Sequence, residues 1–145
     1  MPIFLTIAQA SLRSWLMTDR LLLDTCALLW LANKSESLSL VARLRIEEAE
    51  EVFVSPASAW EIAVKYGKGK LKLPCDPIKW FDHALEVFGI KILPFDYKLW
   101  MRSTQLPNHH QDPADRTIIQ TALENDLIVV THDHRFPQYG VKVIS

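Results

Sequence analysis

The chain alternates between short runs of apolar residues and longer stretches in which apolar residues recur with helical spacing. Residues 20–24 (RLLLD), 51–54 (EVFV) and 127–131 (LIVVT) are short, mostly apolar runs, a pattern typical of strands buried on both faces. Two four-residue runs, at 90–93 and 141–144, predict further strands. The pattern therefore predicts about five strands separated by helices.

Capping residues mark where the intervening helices begin. Ser55, Asp76 and Asp112 are each followed by proline, the combination that favours a helix N-cap and first turn. Thr25 is predicted to cap the helix that follows the first strand. Further helices are predicted over residues 26–33, 38–50 and 96–105.

Strands that alternate with helices along the whole chain predict a single three-layer α/β/α domain around a mostly parallel sheet. A length of 145 residues, with 49% hydrophobic and 23% charged residues, fits one globular domain. We expect the domain to cover residues 17–145, because Met17 is a plausible second start just before the first strand. Residues 1–16 are then an N-terminal extension, either outside the fold or joined to it. No apolar run reaches the roughly 18–20 residues that span a bilayer, so no membrane partner is expected.

Charge and cysteine content narrow the function classes. The chain has 16 Lys and Arg against 17 Asp and Glu, a net charge of −1, which excludes a strongly basic nucleic-acid coat protein. It does not exclude an enzyme that handles nucleic acid locally. Cys26 and Cys75 have neither a disulfide framework nor the spacing of a metal site, so a reducing cytoplasm is the expected location.

Five acidic residues fall where a functional site is expected. Asp24 ends the first predicted strand, and Asp133 follows the fourth. Asp112 and Asp115 begin the helix that leads into that fourth strand, and Glu61 lies within an earlier helix. Ligands of open α/β sheets bind beyond the carboxyl ends of the strands. These acids from separate segments are therefore predicted to meet at one place.

Each acid also has a structural explanation, which the sequence leaves open. Asp24 and Asp133 are also typical of turns or helix caps, and Asp112 has the position of an N-cap. Asp115 occupies the third helical position, where an acid suits a capping box and the helix dipole. Glu61 is four residues before Lys65, a spacing that favours an ion pair on one helix face.

Clustered carboxylates favour a hard cation, and Mg²⁺ or Mn²⁺ fits this ligand type. Two like charges about 5 Å apart repel by roughly 3 kcal/mol at an effective dielectric constant near 20, so the metal-free site is expected to be strained. Asp115 is predicted to stay ionised, because it lies in the first turn of a helix.

Four histidines near these acids raise the alternative of a zinc site. They are His109, His110, His132 and His134. Their adjacent and alternate spacing differs from the i, i+4 spacing of zinc hydrolase helices, so hydrogen bonding at the rim of the site is the expectation, with zinc as the alternative.

Four segments resemble a PIN domain, the metal-dependent ribonuclease fold of VapC-type toxins in toxin–antitoxin pairs. The segments are LLLDT at 21–25, SAWEIAVKYGKGKL at 58–71, DPADR at 112–116 and VVTHDHRF at 129–136. The resemblance extends over residues 20–145. It implies a sheet with strand order 3-2-1-4-5 and Mg²⁺- or Mn²⁺-dependent cleavage of RNA.

The resemblance also implies a role for each matching residue. Asp24, Glu61, Asp115 and Asp133 are then the catalytic, metal-binding acids, with Asp112 as an outer helper. Thr25 and Thr131 would orient metal-bound water or a neighbouring carboxylate through their hydroxyl groups.

Acidic side chains alone would repel RNA, so basic side chains are expected around them. Lys65, Lys68, Lys70 and Lys72 form the densest basic stretch, and Arg116 directly follows Asp115. We predict that Lys65, Lys68, Lys70 and Arg116 contact RNA phosphates. A solvated loop is the alternative for the lysines that follow Lys65.

The resemblance further implies a small cognate antitoxin and a homodimer, with residues 28–31 and 38–44 as candidate contact surfaces. A haloacid dehalogenase-type phosphatase also has an aspartate after its first strand, but it needs a second one two residues later, where Cys26 stands. A catalytically silent PIN-like module that binds RNA or protein remains the alternative function.

Overall fold

The computed structural model describes residues 19–145, which form an α/β domain around a five-stranded sheet. The strand order is β3-β2-β1-β4-β5, and each neighbouring pair is parallel. This confirms the expected 3-2-1-4-5 order. The predicted extension at residues 1–16 lies outside the described residues.

The elements follow the predicted alternation, with several shorter than expected. The strands are β1 (Arg20–Leu23), β2 (Glu51–Val54), β3 (Lys91–Ile92), β4 (Ile128–Val130) and β5 (Val143–Ile144). The helices are α1 (Thr25–Ala32), α2 (Leu40–Glu48), α3 (Pro56–Gly67), α4 (Pro77–Phe88), α5 (Tyr97–Ser103) and α6 (Pro113–Asn125). A 3₁₀ helix covers Phe136–Tyr139. None of the helices within residues 19–145 is long and apolar enough to cross a membrane.

Two hydrophobic cores lie on opposite faces of the sheet because side chains alternate along a strand. Leu21 and Leu23 of β1 pack in one core with buried residues of α1, α2, α3 and α4. Leu22 packs in the other core with α6 and with Phe136 of the 3₁₀ helix. Burial on both faces explains why β1 is a continuous apolar run.

Capping residues fix where the helices begin. Ser55, Asp76 and Asp112 accept backbone N–H bonds at the starts of α3, α4 and α6, as predicted. The cap of α1 is Asp24, whose carboxylate accepts from the backbone N–H of Ala27 at 2.7 Å. The prediction of Thr25 as the cap was wrong, because the extended backbone of Asp24 aims its own carboxylate at the third helical residue.

The loop between α5 and α6 (residues 104–112) is anchored by two side chains from outside it. Arg116 donates through its guanidinium to the carbonyl oxygens of Ser103, Leu106, Pro107 and His110 at 2.7–3.0 Å. The Tyr139 hydroxyl accepts from the backbone N–H groups of His109 and His110, at 3.0 and 2.7 Å, and donates to the Pro107 carbonyl oxygen at 2.7 Å. The loop therefore enters α6 in a defined position.

We expect Arg116→Ala to lower the free energy of unfolding by about 2–4 kcal/mol, because hydrogen bonds from charged groups contribute about 1.5–3 kcal/mol each and are not additive. Arg102→Ala is the matched control. Arg102 forms an ion pair with Glu124 at the surface, and such pairs contribute about 1 kcal/mol or less. Urea unfolding followed by circular dichroism measures both losses, and equal losses would contradict the anchoring role of Arg116.

Candidate active site

A cavity of about 600 Å³ opens beyond the carboxyl ends of β1 and β4. Its lining includes Asp24, Glu61, Asp112, Asp115 and Asp133. The acidic side chains singled out in the sequence therefore face one space.

Different elements bring each acid to this cavity. Asp24 lies between β1 and α1, and Asp133 follows β4. Asp115 is in the first turn of α6. Glu61 lies on α3, and α3 contacts both α1 and α6. Helix packing thus brings Glu61 to the strand ends, although the sequence places it far from any strand end.

Asp24 is buried, and burial raises the pKa of its carboxyl group. Hydrogen bonds from the Thr131 side chain and from the Ala27 backbone act in the opposite direction, because they favour the ionised form. The nearby charges of Asp133 and Glu61 raise the pKa further.

Asp115 has a pKa of about 8, far above its ordinary value of 3.8. Burial is the largest cause, followed by the negative charges of Asp112, Glu61 and Asp24. The prediction that the helix dipole keeps Asp115 ionised was therefore wrong. The dipole contributes about 1 kcal/mol or less at an exposed position, and here burial and repulsion outweigh it.

The pKa of Asp133 shifts in the opposite direction. Arg135 donates from its backbone N–H and its Nε to Oδ1, each at 2.9 Å, and from its Nη2 to Oδ2 at 2.7 Å. These bonds, with a smaller contribution from His110, hold the pKa of Asp133 well below its ordinary value. Each oxygen of Asp133 thus has two hydrogen-bond partners once His110 is counted.

His110 is buried between two of the acids. Its Nε2 lies 3.0 Å from Oδ2 of Asp115 and 2.9 Å from Oδ2 of Asp133. Its Nδ1 accepts from the backbone N–H of Asp112 at 3.1 Å. Ligand atoms of His110, Asp115 and Asp133 all lie within 4.8 Å of one another, a group close enough to hold a metal ion.

The two threonines occupy different positions around the acids. The Thr131 hydroxyl accepts from the backbone N–H of Asp133 at 3.0 Å and also bonds Asp24. Thr25 is buried, and its hydroxyl lies 2.9 Å from that of Ser58, which links α1 to α3. Sequence reasoning missed Ser58, although its position one turn before Glu61 on α3 is a usable signal.

The basic residues fall into two groups. Lys65 lines the cavity with its Nζ 3.7 Å from Oε2 of Glu61, and Lys68, Lys70 and Lys72 are exposed beyond it. Arg116, expected to contact RNA, instead directs its guanidinium at the carbonyl oxygens of the α5–α6 loop.

Arg135, which sequence reasoning missed, lines the cavity and is exposed. Its spacing of two residues from Asp133 is a signal that could have identified the pair.

Sequence comparison identifies relatives of this chain. The PIN domain family model matches residues 21–142. The chain is 31% identical over 116 residues to Ribonuclease VapC22 of Mycobacterium tuberculosis (strain ATCC 25618 / H37Rv), covering 79% of this chain and 87% of that protein.

The solved structures with similar folds include two VapBC complexes bound to DNA. The crystal structure of VapBC2 from Rickettsia felis, bound to a DNA fragment from their promoter, matches 86% of this chain and 97% of that chain with a TM-score of 0.64 and 17% identity. The DNA-bound VapBC from Salmonella typhimurium matches 88% of this chain and 98% of that chain with a TM-score of 0.61 and 19% identity. The fold, the family match and the related ribonuclease agree, and the chain belongs to the PIN domain family.

Proposed function

We propose that this protein is a Mg²⁺- or Mn²⁺-dependent endoribonuclease and the toxin of a toxin–antitoxin pair. The observation that carries the proposal is the set of buried and partly buried carboxylates at one sheet edge, where burial and the neighbouring negative charges raise the pKa of Asp115 to about 8. A site with this excess of negative charge is suited to a divalent cation. The related Ribonuclease VapC22 supports RNA as the substrate.

The donor set fits a hard cation. Asp24, Glu61 and Asp115 offer carboxylate oxygens to the cavity, the ligand type that Mg²⁺ and Mn²⁺ take. We assign the ion to these three acids. Asp133 was predicted as a fourth ligand, but its oxygens already accept bonds from Arg135 and His110, so we assign it to orienting its neighbours.

The bound ion would activate a water molecule and neutralise charge on the phosphodiester that is cleaved. In-line attack by that water on phosphorus would break the P–O3′ bond and would leave a 5′-phosphate and a 3′-hydroxyl. Asp112 supports this arrangement from outside, because its carboxylate accepts the backbone N–H of Asp115 at 2.9 Å and fixes the start of α6.

Lysines on one side of the cavity carry the positive charge needed to bind the phosphates of an RNA backbone. Lys65 lies at the cavity, and the exposed Lys68 and Lys70 follow it after the end of α3. Arg135 adds an exposed guanidinium on the Asp133 side, although Asp133 already binds part of it. We propose that these cations hold the phosphates on either side of the scissile bond.

A small antitoxin and a second copy of the chain are the proposed partners, and we propose the cytoplasm as their location. The antitoxin is supported by the VapBC complexes among the structural relatives. Of the candidate dimer surfaces, Leu28 and Leu31 are buried in the core and unsuited to contact another chain. Leu40, Val41 and Leu44 of α2 are exposed and remain candidates.

Stability of the metal-free protein is expected to fall as pH rises from about 4 to about 8. Asp115 loses its proton near 3.8 in the unfolded chain and at about 8 in the folded protein, so the folded state binds more protons between these values. Urea unfolding in a chelator measures the slope. Asp115→Asn should reduce it, whereas the exposed Asp82→Asn should leave it unchanged.

Excess Mg²⁺ should raise the melting temperature most at the alkaline end of this range, because the ion replaces the proton. Asp24→Asn should stabilise the metal-free protein, since asparagine can keep the cap and removes a buried charge. A destabilised Asp24→Asn variant together with no thermal effect of Mg²⁺ would contradict the clustered metal site.

Cleavage of mixed RNA with Mn²⁺ tests the reaction itself. Asp24→Asn and Asp115→Asn are each expected to lower the rate at least about 100-fold, the loss typical of removing one charge-stabilising group. Asp82→Asn is the matched control and should cleave as the wild type does. Equal cleavage by all variants would indicate a contaminant or another site, and no cleavage by the wild type would favour the silent binding module.

RNA binding by the lysines is tested in the Asp24→Asn variant, in which cleavage is expected to be strongly reduced. Adding Lys68→Ala or Lys70→Ala should make the plot of log binding constant against log salt concentration less steep by about 0.7, the value for one phosphate contact on a single strand. Lys79→Ala, an exposed lysine on α4, is the control. Slopes identical to the control would assign Lys68 and Lys70 to a solvated loop.

A further inference from the structure

The one buried histidine among residues 19–145 lies inside the acidic site. His110 is 2% exposed, and both of its ring nitrogens have partners. A histidine within reach of two carboxylates can either bind a metal ion through a ring lone pair or donate a hydrogen bond from the same nitrogen. These two roles need different positions of the ring proton.

The backbone N–H of Asp112 determines which ring nitrogen of His110 carries the proton. Its N–H group points at Nδ1 of His110 with an N···N distance of 3.1 Å. Because a backbone N–H can only donate, Nδ1 must carry the lone pair, and the proton of the neutral ring is on Nε2. That Nε2–H faces Oδ2 of Asp115 and Oδ2 of Asp133.

We propose that His110 is a positioning residue that joins Asp115 to Asp133 as a fixed Nε2–H donor and does not bind the metal ion. The ion then has only oxygen ligands from the protein. Zinc is usually bound through nitrogen and sulfur, whereas Mg²⁺ and Mn²⁺ take oxygen, so this histidine orientation favours the hard cations. The statement about the ion rests on the proposed function, but the position of the proton does not.

The ring has little freedom to adopt the alternative. The Tyr139 hydroxyl binds the backbone N–H of His110, Arg116 binds its carbonyl oxygen, and Phe136 contacts the ring edge-on at 5.8 Å between centroids. Asp112 is itself fixed as the N-cap of α6. Coordination through Nε2 would move the proton to Nδ1, where it would oppose the Asp112 N–H and cost a buried hydrogen bond.

Nitrogen NMR of the full chain, labelled with ¹⁵N in histidine, tests the assignment directly. Two-bond ¹⁵N–¹H correlations distinguish the two neutral tautomers, the charged ring and a metal-bound nitrogen. In a chelator we expect the His110 ring as the Nε2–H tautomer, and excess Mg²⁺ should leave that pattern unchanged. An Nδ1–H tautomer, a charged ring, or a metal-bound Nε2 with Mg²⁺ or Zn²⁺ would overturn the proposal.

His110→Gln identifies the His110 NMR signal, because that signal disappears in the variant. The exposed His83→Ala on α4 is the control that removes another ring.

Calorimetric titration with Mg²⁺ then measures how His110 affects metal binding in the absence of RNA. Loss of an outer partner typically weakens metal binding 10–100-fold, so we expect about that loss in His110→Ala and a smaller one in His110→Gln, whose amide can still donate. Affinity unchanged in His110→Ala would overturn the positioning role.

The calorimetric and NMR measurements distinguish failure of the proposed function from failure of the proposed role of His110. If the wild type binds no Mg²⁺, the proposed metal-dependent function is wrong, while the NMR spectrum still establishes where the His110 proton lies. If Mg²⁺ binds but the ring is coordinated, the function stands and the role of His110 is overturned.

Discussion

Repulsion among carboxylates that are wholly or partly removed from solvent is the constraint on which the carboxyl edge of this sheet depends. Burial and like charge both penalise ionisation, and the surrounding structure offsets the penalty unevenly. Asp133 receives four hydrogen bonds from Arg135 and His110 and remains ionised. Asp115 shares His110, but burial and the negative charges of its acidic neighbours raise its pKa to about 8. The penalty on ionisation therefore falls on Asp115 and Asp24, whose pKa values are both raised.

Holding such a site together requires rigid backbone, and the chain supplies it at the α5–α6 loop. Arg116 and Tyr139 bind backbone groups of that loop, and the loop continues into Asp112, the cap of α6. The same turn carries Asp115 and presents the N–H that orients His110. The hydrogen bonds that stabilise this loop therefore also position Asp115 and orient His110. A variant that loosens the loop should affect both.

Much of the fold follows from patterns that are local in the sequence. Apolar runs separated by helices predicted a parallel sheet, and Ser55, Asp76 and Asp112 before proline predicted three helix starts, because a cap depends on residues within one turn. The direction of Arg116 could not be predicted in this way. Its partners are carbonyl oxygens of a loop up to 13 residues away, and every residue offers such an oxygen.

The protonation of the acids escaped prediction for a related reason. Asp115 and Asp133 are the same residue type, both follow helix or strand boundaries, and both contact the same ring nitrogen. Their pKa values nonetheless shift in opposite directions, because Arg135 binds Asp133, whereas burial and four acidic neighbours raise the pKa of Asp115. A divalent cation at Asp115 would compete with a proton, whereas at Asp133 it would have to displace an arginine. This difference, which depends on contacts rather than residue identity, is why the two acids are assigned different tasks.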